Sequence, residues 1–284
     1  MLNFKKWRSY NLRLIIEEVV LLSILCLVSV ITTYVIFGDI FSALFSMIIP
    51  ILFTFHLKNS SQILLRYYRA RQLDREDFDS IYSIVDDLSV RASLDQRPRL
   101  YFLDTFQINA FTADFGEYYG IAISRGLINT MQERELKAVL AHEISHISNR
   151  DPLFLKVTTA IYSFISFVST AIHIILILCL PFYLLNLIEI RLQLAFAIIF
   201  SPWILRFLIL AIMRNREYKA DLNASLLTQD PLGLAMALRK LLRLQGRFLN
   251  LFFPFRPNQK TSMLDTHPTT TSRISRLLDL EKRM

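Results

Sequence analysis

Residues 136–151 read LKAVLAHEISHISNRD and contain the pattern His-Glu-x-x-His at His142, Glu143 and His146. Successive helix residues advance by about 100°, so the two histidines lie about 40° apart on one face. Two imidazoles one turn apart can bind one zinc ion, and the glutamate between them can reach a water on that ion. Another face of the same helix is apolar and predicts packing against a core, with Leu136, Leu140, Ile144 and Ile147.

A third metal ligand must come from elsewhere, because catalytic zinc usually has three protein ligands and one open position. Asn149 and Pro152 exclude the arrangement in which a third histidine follows closely. Only Glu189, Glu217 and Glu281 follow the motif among glutamates. Glu189 belongs to a predicted turn across the membrane and Glu281 is close to the end of the chain. Glu217, in the run RNREYKADLNA, is therefore the predicted third ligand.

Asp221 lies one helical turn after Glu217, on the same predicted face. A carboxylate at that place can orient a ligand histidine from behind. The alternative is a solvated helix face, because Arg216 and Lys219 flank these acidic residues. The histidine motif favours the metal-site interpretation.

Four apolar stretches predict membrane-spanning helices. The chain has 53% hydrophobic residues and a mean hydropathy of +0.38, too apolar for a soluble chain of 284 residues. A span needs about 20 apolar residues. The stretches near that length or longer are 19–37, 40–57, 157–188 and 192–213. They predict two helical hairpins, the second inserted between His146 and Glu217.

The net charge of +8 comes from 32 basic and 24 acidic residues. Its distribution predicts that both termini and both polar segments face the cytoplasm, by the positive-inside rule. Contact with anionic lipid headgroups accounts for the charge without nucleic acid as a partner. The basic residues near the predicted span ends are Lys5, Lys6, Arg8, Arg13, Lys58, Arg66, Arg69, Arg71, Arg75, Arg150, Lys156, Arg214, Arg216 and Lys219.

The chain therefore divides into four predicted parts. These are an amino-terminal transmembrane hairpin (1–57), the first part of a catalytic domain (58–156), a second hairpin (157–213) and the second part of that domain (214–284). Residue patterns predict strands at 99–103, 107–113 and 118–124 and helices at 74–89, 216–227, 231–247 and 268–280. A capping box of Thr130 and Glu133 predicts where the zinc-motif helix begins. The fold class is α+β with helix dominant.

The segments HEISHISNRD, REYKAD and HPTTTSRISRL, with two spans between the first and second, resemble the HtpX-like membrane zinc metalloproteases, relatives of the CAAX prenyl proteases. The resemblance covers nearly the whole chain. It implies a gluzincin-like cytoplasmic domain on four transmembrane helices, with one Zn²⁺ held by His142, His146 and Glu217 and with Glu143 as the catalytic glutamate. It also implies cleavage of membrane or misfolded proteins in quality control at a bacterial inner membrane.

Three further residues take roles from this resemblance. Residues 108–111 resemble the family's edge-strand segment, where an extended peptide can add by backbone pairing, so Asn109 is a candidate substrate anchor. A plain strand residue remains the alternative for it. Thr112 stands where the family usually has a small residue. His267 and Arg273 resemble a closing HP…R pattern: His267 is a candidate for donating to the oxyanion and Arg273 for organising the cleft. The alternative for His267 is a residue that only leads into the helix beginning near Pro268.

The predicted function is zinc-dependent endoproteolysis close to the cytoplasmic membrane face. Glu217 follows the fourth predicted span by 4 residues and His146 precedes the third by 11, so the zinc is expected within roughly 5–15 Å of the membrane surface. Three alternatives stay open: intramembrane proteolysis, prenyl-protein processing, and a non-catalytic zinc-stabilised adaptor. Charged residues on both sides of the motif disfavour the first, and the short chain disfavours the second.

Overall fold

A computed structural model describes residues 4–56, 60–187, 189, 192–252 and 269–282. The chain divides into two compact units. The first comprises Met1–Leu14, Lys58–Leu153 and Arg214–Met284, and the second comprises Ile15–Leu57 and Phe154–Met213. Segments on both sides of the second apolar pair therefore contribute to the first unit.

The elements follow one another along the chain with helices in the majority. They are α1 (Phe4–Phe37), α2 (Ile40–His56), α3 (Ser60–Tyr67), β1 (Arg71–Gln72), α4 (Asp79–Arg91), β2 (Arg99–Leu103), β3 (Ala110–Asp114), β4 (Tyr119–Ser124), α5 (Arg125–Thr130), α6 (Glu133–Ser148), α7 (Asp151–Leu184), α8 (Leu192–Thr228), α9 (Pro231–Phe252) and α10 (Thr270–Glu281). The predicted helix-dominant α+β composition is confirmed for the described residues.

Three of the helices in the described part of the chain are long and apolar enough to cross a membrane. These stretches are Tyr10–Phe37, Asp151–Leu184 and Ala195–Thr228. The second predicted span forms α2, which has 17 residues. At 1.5 Å per residue α2 is about 26 Å long, somewhat short of a hydrocarbon layer about 30 Å thick. The second unit packs around its own apolar cluster, whose members include Leu25, Ile161, Ile165, Leu205 and Ile209.

The first unit contains a four-stranded sheet in the order β1-β2-β4-β3. Strands β2 and β4 are parallel, whereas β1 pairs antiparallel with β2 and β3 pairs antiparallel with β4. Strand β3 is therefore at one edge, with Thr112 opposite Ile121. The three predicted strands are present, although β3 begins at Ala110 and not at 107. The two-residue strand β1 was not predicted, because it is too short for a period-2 pattern to appear.

Helix α6 lies at the centre of this unit and contacts α4, α9 and β3. Its apolar face enters the core as predicted, and Leu140 and Ile144 are fully buried there. The loop leading into β3 packs closely on the start of α5. The Gly126 N–H donates to the Thr105 carbonyl at 3.0 Å, and a Cβ at Gly126 would lie 2.2 Å from the Phe106 carbonyl oxygen. A side chain at that position would therefore displace backbone.

The predicted start of the zinc-motif helix is wrong by two residues. Thr130 ends α5, and the N-cap of α6 is Gln132. The Gln132 N–H donates to Glu135 Oε2 at 2.9 Å, which is half of a capping box. Two overlapping Thr/Gln-x-x-Glu patterns compete here. The sequence does not reveal that the residues around Thr130 belong to a separate short helix.

Other helix boundaries also differ from expectation. Helix α4 spans Asp79–Arg91 and not 74–89, since residues 75–78 form a turn, and α10 spans Thr270–Glu281 and not 268–280. The fourth predicted span and the helix predicted at 216–227 form one continuous helix, α8. A change from apolar to charged residues alters the surroundings of a helix but does not break its backbone hydrogen bonds. Helix α8 also has no glycine or proline after Pro202, so no residue there interrupts it. Helix α9 continues to Phe252 and does not end near 247. Pro254, two residues later, disfavours further helix.

Candidate active site

The predicted metal ligands converge in the first unit. Helix α6 contributes His142 and His146, and α8 contributes Glu217; one ligand atom from each lies within 4.8 Å of the others. The two Nε2 atoms are 3.1 Å apart. Glu217 Oε2 is 3.5 Å from His142 Nε2, and Glu217 Oε1 is 3.8 Å from His146 Nε2. Tetrahedral zinc with bonds of about 2.0–2.1 Å holds its ligand atoms about 3.3–3.4 Å apart, so the three side chains fit one zinc ion.

The protonation of the imidazoles supports the same conclusion. His146 Nδ1 lies 2.6 Å from Asp151 Oδ2, and His142 Nδ1 lies 3.1 Å from Asp221 Oδ1. A carboxylate only accepts, so the carboxylate beside each Nδ1 favours the proton on that nitrogen and leaves Nε2 as the nitrogen available to a metal ion. The His142 contact is an ion-pair distance without good hydrogen-bond alignment. The two Nε2 atoms face each other and the Glu217 carboxylate, so a cation bound there would meet all three side chains.

Behind His146, a buried ion pair joins the start of α7 to α8. Arg216 Nε donates to Asp151 Oδ1 at 2.6 Å, and Arg216 Nη2 donates to the Asn149 carbonyl at 2.9 Å. Asn223 Nδ2 donates to Asn149 Oδ1 at 3.1 Å. Arg216 is 8% exposed, so it is not part of a solvated face. These contacts fix the imidazole of His146 and the neighbourhood of Glu217 relative to each other.

Behind His142, Arg273 from α10 binds two acidic side chains. Its Nε and Nη2 donate to the two oxygens of Asp221 at 2.8 and 2.6 Å, and its Nη1 lies 3.0 Å from Glu217 Oε2. Arg273 Nη2 also lies 3.4 Å from His142 Nε2. A bidentate arginine–carboxylate pair is geometrically specific, so Arg273 orients Asp221 and Glu217 together.

The remaining motif residue, Glu143, is buried and faces β3. Thr112 Oγ1 lies 2.8 Å from Glu143 Oε2 and 3.1 Å from the Glu143 backbone oxygen. Because α6 packs on β3, this carboxylate faces the sheet edge from the helix that carries His142 and His146. A carboxylate so placed can accept a proton beside a metal ion.

Opposing charges dominate the electrostatics of the cluster. Burial alone would lower the pKa of His142, but its contacts with Asp221 and Glu217 raise that pKa to about 10. Burial would likewise lower the pKa of Arg273, whereas Asp221, Glu217 and Glu143 raise it. The acidic groups that stabilise the positive charge of a protonated imidazole would also stabilise a divalent cation bound to the neutral imidazole.

One sequence-predicted residue in the described part of the chain stands apart from this cluster. Asn109 is exposed just before β3, and its backbone N–H and carbonyl pair with the Ser124 hydroxyl and N–H. His267 lies outside the described residues. The sequence interpretation missed Asp151, Arg216 and the Thr112 contact. Asp151 had a usable signal, since it follows His146 by five residues and ligand histidines commonly bind a carboxylate.

Replacing Asp151 with Asn should weaken zinc binding by about 10–100-fold, because a neutral amide makes the His146 imidazole a poorer ligand. Competition with a chromophoric chelator measures the zinc dissociation constant of each purified protein. Asp104→Asn, which changes an exposed aspartate paired with Arg125, is the matched control and should bind zinc like the parent. An unchanged zinc affinity in folded Asp151→Asn would contradict this role.

Comparison with curated proteins places the chain among known proteases. It is 32% identical over 244 residues to the protease HtpX homolog of Aquifex aeolicus, covering 79% of each chain. It is 30% identical over 244 residues to the protease HtpX homolog of Dictyoglomus thermophilum, covering 80% of this chain and 77% of that one. These identities extend over most of both proteins.

Among solved structures, the crystal structure of S. mikatae Ste24p aligns with a TM-score of 0.48 and 19% identity. The alignment covers 90% of this chain and 61% of the length of that one. Residues 75–281, which include the whole His142, His146 and Glu217 cluster, match peptidase family M48. The chain belongs to peptidase family M48, a family of metalloproteases, and is HtpX-like.

Proposed function

We propose that the chain is a zinc-dependent, membrane-anchored endopeptidase that cleaves membrane proteins or misfolded polypeptides near the cytoplasmic face of the membrane. The observation that carries the proposal is the convergence of His142, His146 and Glu217 at separations suited to zinc, with Glu143 on the same helix. Following the family resemblance, we assign it to protein quality control in a bacterial inner membrane.

The proposed chemistry is metal-assisted hydrolysis. A zinc ion bound by His142, His146 and Glu217 would polarise the scissile carbonyl and make the attacking water more acidic. The role of Glu143 is to take a proton from the attacking water as the new C–O bond forms. Glu143 then delivers the proton to the leaving amide nitrogen as the C–N bond breaks. No serine or cysteine nucleophile is required.

We assign substrate handling to residues around this centre. An extended peptide can add to the edge strand β3 by backbone hydrogen bonds, and Asn109 precedes that strand at an exposed position. Arg273 keeps Glu217 and Asp221 in place through the contacts at 2.6–3.0 Å. We assign His267 as the oxyanion donor, and the support for this role is the resemblance of its sequence segment.

The proposed topology has four transmembrane helices, including the short α2, with both termini and the first unit on the cytoplasmic side. The supporting observations are the basic residues at the span ends and the apolar composition of α2. Glu217 lies on α8, the same helix as the fourth apolar stretch. A site so close in sequence to a span favours juxtamembrane segments of membrane proteins as substrates.

The test incubates detergent-purified protein with a membrane-protein substrate, with and without chelator, and locates any cut by mass spectrometry. The proposal predicts chelator-sensitive cleavage in cytoplasmic loops, restored by added zinc. Zinc-loaded protein that leaves both this substrate and unfolded casein intact would overturn the proposal in favour of an adaptor. Cuts confined to transmembrane segments would overturn it in favour of intramembrane proteolysis.

A further inference from the structure

Thr112 makes a contact that the proposed chemistry does not yet use. It lies in the middle of β3, where its backbone is opposite Ile121, and its side chain reaches α6. The hydroxyl oxygen is 2.8 Å from Glu143 Oε2 and 3.1 Å from the Glu143 carbonyl oxygen. The hydroxyl of Thr112 therefore joins the edge strand β3 to helix α6 at the Glu143 carboxylate, the group to which proton transfer is assigned.

A threonine hydroxyl has a single proton, so it cannot donate fully to both oxygens. The carboxylate is the nearer acceptor and carries charge, which makes the bond to Oε2 the stronger one. Glu143 is only 7% exposed, which leaves little room for water to take the place of the hydroxyl. The bond engages one carboxylate oxygen and restricts rotation of the carboxylate group.

We propose that Thr112 is a positioning residue that fixes the orientation of the Glu143 carboxylate. This inference rests on the proposed function. With Oε2 held by the hydroxyl, Oε1 is the oxygen that takes the proton from the attacking water. The Glu143 carbonyl, 3.1 Å from the hydroxyl, limits the rotation of Thr112 itself.

The alternative is that Thr112 only joins strand to helix. That role would be visible in stability and would depend on side-chain shape. Positioning acts on the catalysed step, so it predicts a change in kcat without a matching change in KM, zinc content or melting temperature. Thr112→Val keeps the branched shape and removes the hydroxyl, whereas Thr112→Ser keeps the hydroxyl and removes the methyl group.

The experiment measures kcat, KM, zinc stoichiometry and the melting temperature of the metal-free protein for both variants. Thr112→Val should lower kcat by about 10–100-fold, as expected for a misoriented reacting group, with KM within twofold and one zinc per chain. Thr112→Ser should restore kcat to within about threefold of the parent. Thr130→Val changes a similarly half-buried threonine at the end of α5 and should leave kcat unchanged.

Two outcomes would overturn the inference: a kcat within twofold of the parent in Thr112→Val, or equal losses in Thr112→Val and Thr112→Ser. A double variant separates this inference from the proposed function. In a Glu143→Gln background, Thr112→Val should cause no further loss, because the base it orients is absent. If the zinc-loaded parent does not cleave, the proposed function fails; if Glu143→Gln is fully active, the assigned role of Glu143 and the positioning role of Thr112 fail together. If Glu143→Gln is inactive while Thr112→Val is active, only the positioning role fails.

Discussion

Replacing Glu143 with Gln should lower kcat for peptide-bond hydrolysis by roughly 10²–10⁴-fold, the range expected for loss of a general base. The amide matches the carboxylate in size but cannot accept the proton from the attacking water. The variant should keep one zinc per chain, because the proposed ligand atoms belong to His142, His146 and Glu217. Initial rates on a purified membrane-protein substrate, paired with metal analysis of the same sample, measure both quantities.

The matched control for this substitution is Glu133→Gln. Glu133 begins the same helix, α6, but is exposed there, so its charge has no part in the proposed chemistry. The control should retain the parent rate. A zinc-loaded Glu143→Gln protein that cleaves as fast as the parent would remove Glu143 from the mechanism.

Replacing Glu217 with Ala should release zinc and abolish proteolysis together. The change deletes one of three protein ligands, so the affinity should fall by more than the roughly 10–100-fold that follows loss of a residue merely supporting a ligand. Arg273 would keep its bidentate pairing with Asp221, which should preserve the packing of α10. Isothermal titration of metal-free protein with zinc measures the affinity, and circular dichroism checks the fold.

The control for Glu217→Ala is Glu117→Ala, which removes an exposed carboxylate from the loop between β3 and β4. Its zinc affinity should equal that of the parent. If Glu217→Ala binds zinc as tightly as the parent and remains folded, the third ligand is a different residue.

The convergence of the three candidate ligands was predictable because it depends mostly on helical periodicity. His142 and His146 lie one turn apart wherever their helix lies, and elimination left Glu217 as the downstream carboxylate. The continuity of α8 was not predictable in the same way, because charged residues after an apolar stretch suggest a boundary. Those residues change the surroundings of the helix, whereas its backbone hydrogen bonding continues to Thr228.

The supporting contacts were harder to predict, because they join residues far apart in the chain. Thr112 and Glu143 are 31 positions apart, and Arg216 and Asp151 are 65 apart. In neither pair does the sequence around one residue have a periodic pattern that indicates its partner. Arg216 resembles any basic residue after a membrane span in the sequence, whereas its contacts with Asp151 and Asn149 account for its burial.

The central claim is that one zinc ion is held jointly by residues from both sides of the second apolar pair. Anomalous diffraction at the zinc edge, on crystals of protein purified without added metal, tests it most directly. The claim predicts one zinc peak per chain, with His142, His146 and Glu217 at bonding distances of about 2.0–2.2 Å. No peak at this cluster, or a peak whose ligands do not include Glu217, would contradict it.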